Sequence, residues 1–105
     1  MRRRFYPPPH LNAHLAAIES HKAASLQFLI TELDTATTFC QVALMTKNGA
    51  TADRNLRNAV IARDTALEVR NRLTLSEDDK DVIANKLSRL DSLLQRVREQ
   101  CQKNR

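Results

Sequence analysis

Gly49 is the only glycine in this chain of 105 residues, and its three prolines, Pro7, Pro8 and Pro9, stand together near the start. From residue 10 onward only one position is suited to a sharp turn. A sheet fold uses glycine and proline at its hairpins and edges. Helices joined by two short connections need few. The chain is therefore expected to be all-α. Its aromatic residues are few, Phe5, Tyr6, Phe28 and Phe39 with no tryptophan. The core must then be built from Leu, Ile, Val and Ala, and at this length it is thin.

The apolar spacing supports the same conclusion. Between residues 10 and 47, apolar or small side chains recur at Leu11, Leu15, Ile18, Ser25, Leu26, Leu29, Leu33, Ala36, Cys40, Ala43 and Leu44. Those are steps of three and four, the helical period, with one lapse at His21 and Lys22. A second stripe runs through Leu56, Ala59, Val60, Ala66, Leu67 and Leu73. A third runs through Ile83, Leu87, Leu90, Leu94, Val97 and Cys101, a regular 4-3-4-3-4 seam. The spacing predicts helices near 24–47, 52–73 and 77–101. Lys47-Asn48-Gly49 reads as a helix end, with Gly49 in the left-handed conformation and Thr51 capping the next helix. Ser76 followed by Glu77, Asp78 and Asp79 reads as a capped start whose carboxylates suit the helix dipole. Two short connections then give an up-down-up three-helix bundle.

The first helix is either long or broken. The second and third helices can cover only the part of the 10–47 run from about Ala24 onward, at 1.5 Å per residue. Residues 10–23 nevertheless carry Leu11, Leu15 and Ile18 at helical spacing. Either the segment folds back at Ser20 to Lys22 as a short fourth helix, or it projects and meets another chain. We expect Leu11, Leu15 and Ile18 to be buried, against a second copy in preference to their own bundle. Residues 1–9 read as a flexible basic and proline-rich arm, and residues 10–105 as a single helical domain.

The net charge of +5 belongs to the ends. Arg2, Arg3 and Arg4 stand at one terminus, and Arg96, Arg98, Lys103 and Arg105 against Glu99 at the other. The body between is close to neutral, whereas a nucleic-acid domain carries its basic stripe on an ordered face. Solvated tails are the simpler reading, and binding of nucleic acid or another polyanion is the alternative one. No apolar run is long enough for a transmembrane helix. Pro7 to Pro9 stand where a secretory signal would have its apolar stretch. The expectation is a cytoplasmic protein that does not engage a membrane.

No residue pattern points to catalysis, a cofactor or a metal. Cys40 and Cys101 both lie on apolar seams, at levels roughly 10 Å apart, and read as reduced, buried thiols. His10, His14 and His21 share one side of a helix. His10 and His14 have the i, i+4 spacing of a metal pair, but no further ligand follows. Glu77, Asp78, Asp79 and Asp81 lack the alternating ligands and glycine of a calcium loop. Glu32 and Asp34 point to different sides of their helix. Arg63 and Arg70 are more informative. Both fall on the apolar side of the second helix and must pair or reach solvent. Glu32 is the expected partner, and Lys86 poses the same problem on the third helix. An anion or peptide carboxylate held in a groove is the other reading of these arginines.

Small residues line the first two helices at Ala36, Ala43, Ala59 and Ala66, with Phe39, Asn55 and Leu67 among them. This stretch, Ala36 to Leu67, resembles the helical hairpins of tetratricopeptide-like and microtubule-interacting-and-trafficking-like modules. It departs from the tetratricopeptide pattern at Arg63, where an aromatic is usual, and in having no proline near Asn71. The resemblance implies a scaffold that binds a peptide or helix. The reading as a whole is a non-enzymatic helical interaction module, self-associating as a homodimer or binding a helical partner, without cofactors.

Overall fold

The computed structural model describes the backbone of residues 9–103 and the side chains of residues 21–103. Among the described residues there are three helices and no strand: α1 Pro9–Met45, α2 Gly49–Arg72 and α3 Glu77–Lys103. α1 packs on both other helices, and the contact between α2 and α3 is the slightest of the three. Two cross-helix contacts fix the sense of α1 and α3. Lys86 meets Asp34, and further along both helices Gln100 donates to the backbone carbonyl of Leu44. α1 and α3 are therefore parallel, and α2, which follows α1 in the chain, is antiparallel to both, which gives the up-down-up bundle.

The first connection differs from the sequence expectation. Asn48, not Thr51, is the N-cap of α2. Its backbone is extended, and its Oδ1 accepts from the Thr51 N–H at 2.9 Å. Gly49 is the first residue of α2 and has no left-handed conformation, and no described residue has a positive φ. An Asn-Gly pair can end one helix or start the next. Here the amide side chain of Asn48 decides it by satisfying a first-turn donor. The second connection follows the sequence, since Ser76 Oγ accepts from the Asp79 N–H at 3.1 Å.

The core has a different composition on each helix. α1 contributes Leu29, Leu33, Ala36, Cys40 and Ala43, and α3 contributes its whole seam from Ile83 to Cys101. α2 contributes only alanines: Ala52, Ala59, Ala62 and Ala66. Leu56, Val60 and Leu67 of α2, and Leu73 just past its end, are half-buried at the edge of the core. With no side chain beyond Cβ on its inner face, α2 lies close against α1. Its leucines are left turned sideways. Cys40 and Cys101 are buried thiols with no disulfide between them.

α1 is a single helix that continues without a break through Ser20, His21 and Lys22. A short fourth helix folded back at that point is thereby excluded. α1 has 37 residues against 24 in α2 and 27 in α3. Counting back from the Lys86–Asp34 contact, the start of α3 falls level with Ser25. Leu29 is the first fully buried residue of α1 among the described side chains. The side chains of Leu11, Leu15 and Ile18, and of His10 and His14, lie outside the described residues.

Candidate functional site

The half-buried flank of α2 faces α3, and the polar groups of the two helices meet there. Arg63 extends from α2 to Asp91 on α3. Its Nε donates to Oδ1 at 2.6 Å and its Nη2 to Oδ2 at 3.3 Å. Asp64 adds a weaker ion pair at 3.9 Å. This is the two-pronged arrangement that a planar guanidinium makes with a carboxylate. The hydrogen bond to Asp91 holds the Arg63 guanidinium more firmly protonated than usual, against the opposing effect of its partial burial.

The expected partner, Glu32, is not the one used. Glu32 makes no ion pair with Arg63 or Arg70. The reason is the rotation of α2. Its alanine face is set on α1, which carries Arg63 round toward α3 and away from Glu32. Lys86 finds an intramolecular partner as expected, with its Nζ donating to Asp34 Oδ1 at 2.7 Å. Arg70 is half-buried and has no ion pair among the described residues.

Beside the Arg63–Asp91 bridge the surface between α2 and α3 is concave. One hollow, of about 380 Å³, is lined by Val60, Arg63, Leu94 and Arg98, and the other, of about 830 Å³, by Arg70, Leu87, Ser88 and Arg96. Asp91 and Gln95 line both, but the second is a wide, open patch along the outer face of α3 with Arg70 alone reaching it from α2, and only the first is a groove between the two helices. The slight contact between α2 and α3 is what leaves it open. Its base is Val60 with the little of Leu94 that is exposed, and its walls carry Arg63 and Arg98. The two carboxylates on its lining, Asp64 and Asp91, are both engaged by Arg63. Arg70, Arg96 and Arg98 make no ion pair among the described residues.

Asp91 and Arg98 were not singled out in the sequence. The available signal was position, since both flank the α3 seam beside Leu87 and Leu94. A second surface was also missed. Between Lys22 and Lys47, α1 carries only Glu32 and Asp34 as charged residues. Its outer side exposes Phe28, Val42 and Met45, the last of them 82% exposed. His21 is exposed, and no group of three or more potential metal ligands occurs among the described residues. Glu77 at the start of α3 pairs with Lys80. No helix is long and apolar enough, within the described residues, to cross a membrane.

Fold and groove together define a small all-α three-helix bundle with an arginine-lined cleft between its second and third helices. No protein family matches the chain, and neither a curated protein nor a solved structure shows significant similarity to it.

Proposed function

We propose that this chain is a non-enzymatic helical interaction module that self-associates through the first part of α1. The observation that carries the reading is the continuity of α1. A helix unbroken through Ser20 to Lys22 takes the sequence stripe of Leu11, Leu15 and Ile18 beyond the level where α3 begins. Apolar side chains at helical spacing gain roughly 1.5–3 kcal/mol each on burial. Carried by a part of α1 that lies beyond the start of α3, the stripe is best buried against the same stripe of a second copy. A two-fold axis crossing near Leu15 would set the segments antiparallel, an arrangement in which one patch serves both partners. The outer side of α1 exposes Phe28, Val42 and Met45, which favours contact with protein over solvent.

Sedimentation equilibrium on the wild type and on Leu15→Asp tests the reading. The wild type is expected to associate, with little sensitivity to salt, and Leu15→Asp to sediment as a monomer with its helical content intact. A wild type that stays monomeric at high concentration would overturn it.

A further inference from the structure

We propose that the side of α3 bordering α1 is a binding face for the phosphate backbone of a nucleic-acid duplex. That face is separate from the first part of α1, through which self-association is proposed. In the sequence, Arg96, Arg98 and Lys103 belong to a charged end that reads as a solvated tail. The structure puts all three inside α3, Glu77–Lys103. Basic residues on an ordered face, in place of a tail, are what a nucleic-acid domain presents. Arg89, Arg96 and Lys103 follow one another at seven-residue steps, so they share one side of α3 and span roughly 21 Å at the helical rise. All three are exposed, and none makes an ion pair among the described residues. Lys86, Leu93 and Gln100 interleave with them at steps of three and four. Lys86 and Gln100 both reach α1, which sets the row along the seam between α1 and α3.

Opposing charge is sparse along this seam. Between Lys22 and Lys47, α1 carries only Glu32 and Asp34, and Asp34 is taken by Lys86. Glu32, two residues away, points to a different side of the helix. On α3, Asp91 is taken by Arg63 on the α2 side. Arg96 and Lys103 border a shallow hollow with Leu44 of α1, and Glu99 at its edge accepts from Gln95. Three evenly spaced, unengaged cations on a straight helix match a polymer of evenly spaced negative charge. A duplex carries one phosphate charge per about 1.7 Å of its axis, so every cation of the row would find one within reach. The row holds no aromatic side chain on which unpaired bases would stack, which favours a duplex over a single strand. Its one apolar member, Leu93, is half-buried against the core and so is not free to insert into a lipid surface. Contacts to phosphates carry no sequence information, so binding would be independent of sequence.

Fluorescence anisotropy of the full chain with short random-sequence duplexes, one of DNA and one of RNA, tests the proposal across a series of salt concentrations. Wild type should bind at least one of them, with log affinity falling linearly against log salt. Arg89→Ala, Arg96→Ala and Lys103→Ala should each flatten that slope by about 0.9, the worth of one phosphate contact, and together should weaken binding about tenfold or more at low salt. The control triple Arg54→Ala, Arg57→Ala and Arg72→Ala removes equal charge from exposed positions of α2 and should keep the wild-type slope. Circular dichroism melting checks that both triples fold. Four results would overturn the proposal. One is a wild type that binds neither duplex at low salt. Another is equal slopes for the two triples, which would make net charge and not the row the cause. A third is tighter binding to phosphatidylserine vesicles with the same dependence on the row, which would make a lipid surface the occupant. The fourth is loss of self-association in the row triple, which would make the row a contact between copies.

Discussion

Arg63 and Asp91 form the direct link between α2 and α3, with Nε 2.6 Å from Oδ1 and Nη2 3.3 Å from Oδ2. The Arg63 side chain is 28% exposed and that of Asp91 50%, so solvent screens much of the attraction. Arg63→Lys keeps the charge but loses the two-pronged geometry. We expect Arg63→Ala and Asp91→Ala each to lower stability by about 1 kcal/mol or less, and the double variant to lose less than their sum. Urea unfolding in a double-mutant cycle measures the coupling. A coupling of zero would mean that the bridge positions the groove wall without stabilising the bundle.

Gly49→Ala should stabilise the protein. Gly49 is in the first turn of α2, has a negative φ, and would have no atom within 4 Å of an added Cβ. Alanine there restricts the unfolded chain at no steric cost, a gain of about 0.4–1 kcal/mol. Asn48→Ala should do the opposite, losing about 1 kcal/mol with the cap to Thr51. Thermal melts of the two variants report both signs. If Gly49→Ala destabilised, the glycine would have to be left-handed and the assignment of the cap would fail.

Gly49 also illustrates which parts of the fold the sequence revealed. Every residue of the Ile83-to-Cys101 seam is buried as its spacing predicts, because that periodicity belongs to one helix. Leu56, Val60 and Leu67 share the apolar side of α2 yet stay half-buried, because Ala59, Ala62 and Ala66 set the contact with α1. A helical wheel places Arg63 on the apolar side of α2 but does not say which neighbour that side turns it toward, so Glu32 is the expected partner in place of Asp91. The groove is one step further removed. It depends on the distance between α2 and α3, which no single stripe encodes. At Asn48-Gly49 two local signals compete, and only the geometry of the turn separates them.

The close approach of α1 and α2 rests on alanine. Ala36 and Ala59 are 0% exposed, as is Ala66. Ala59→Leu would push extra methyl and methylene groups into that contact, costing roughly 1–3 kcal/mol through displaced backbone. The same substitution at the exposed Ala84 on α3 should leave stability nearly unchanged. Comparing the two by chemical denaturation separates overpacking from a change in helix propensity. Equal effects would mean that α2 is not held on α1 by its small residues.

Cys40 supplies a pH dependence. Burial pushes its thiol above the ordinary value, with the nearby Arg98 charge acting the other way. The unfolded thiol then loses its proton at lower pH than the folded one. The Cys40 contribution is fully present below the unfolded pKa of about 8.5 and declines as pH rises from there toward the folded value. Wild type should therefore lose more stability than Cys40→Ala between about pH 7 and pH 9.5, although the variant starts lower because of its cavity. Parallel slopes in the two proteins would show that the thiol is not held neutral by the fold. Thiol-labelling reagents should likewise modify Cys40 only as fast as the bundle opens.

Removing residues 1–20 separates the stability of the bundle from association. The start of α3 is level with Ser25, and the first fully buried α1 side chain among those described is Leu29. The truncated chain therefore retains every buried residue of the described core. Measured at a concentration low enough for the full chain to be monomeric, its unfolding free energy should lie within about 1 kcal/mol of the full chain's, as for surface changes. The melting temperatures should then diverge. Binding of a second copy stabilises the folded state by mass action, so the full chain should melt higher as concentration rises, and the truncated chain should not. Calorimetry over a hundredfold range of about micromolar concentrations gives both curves. If truncation instead removed several kcal/mol from the monomer, the Leu11, Leu15 and Ile18 stripe would have to pack on its own bundle. Self-association through it would then be ruled out.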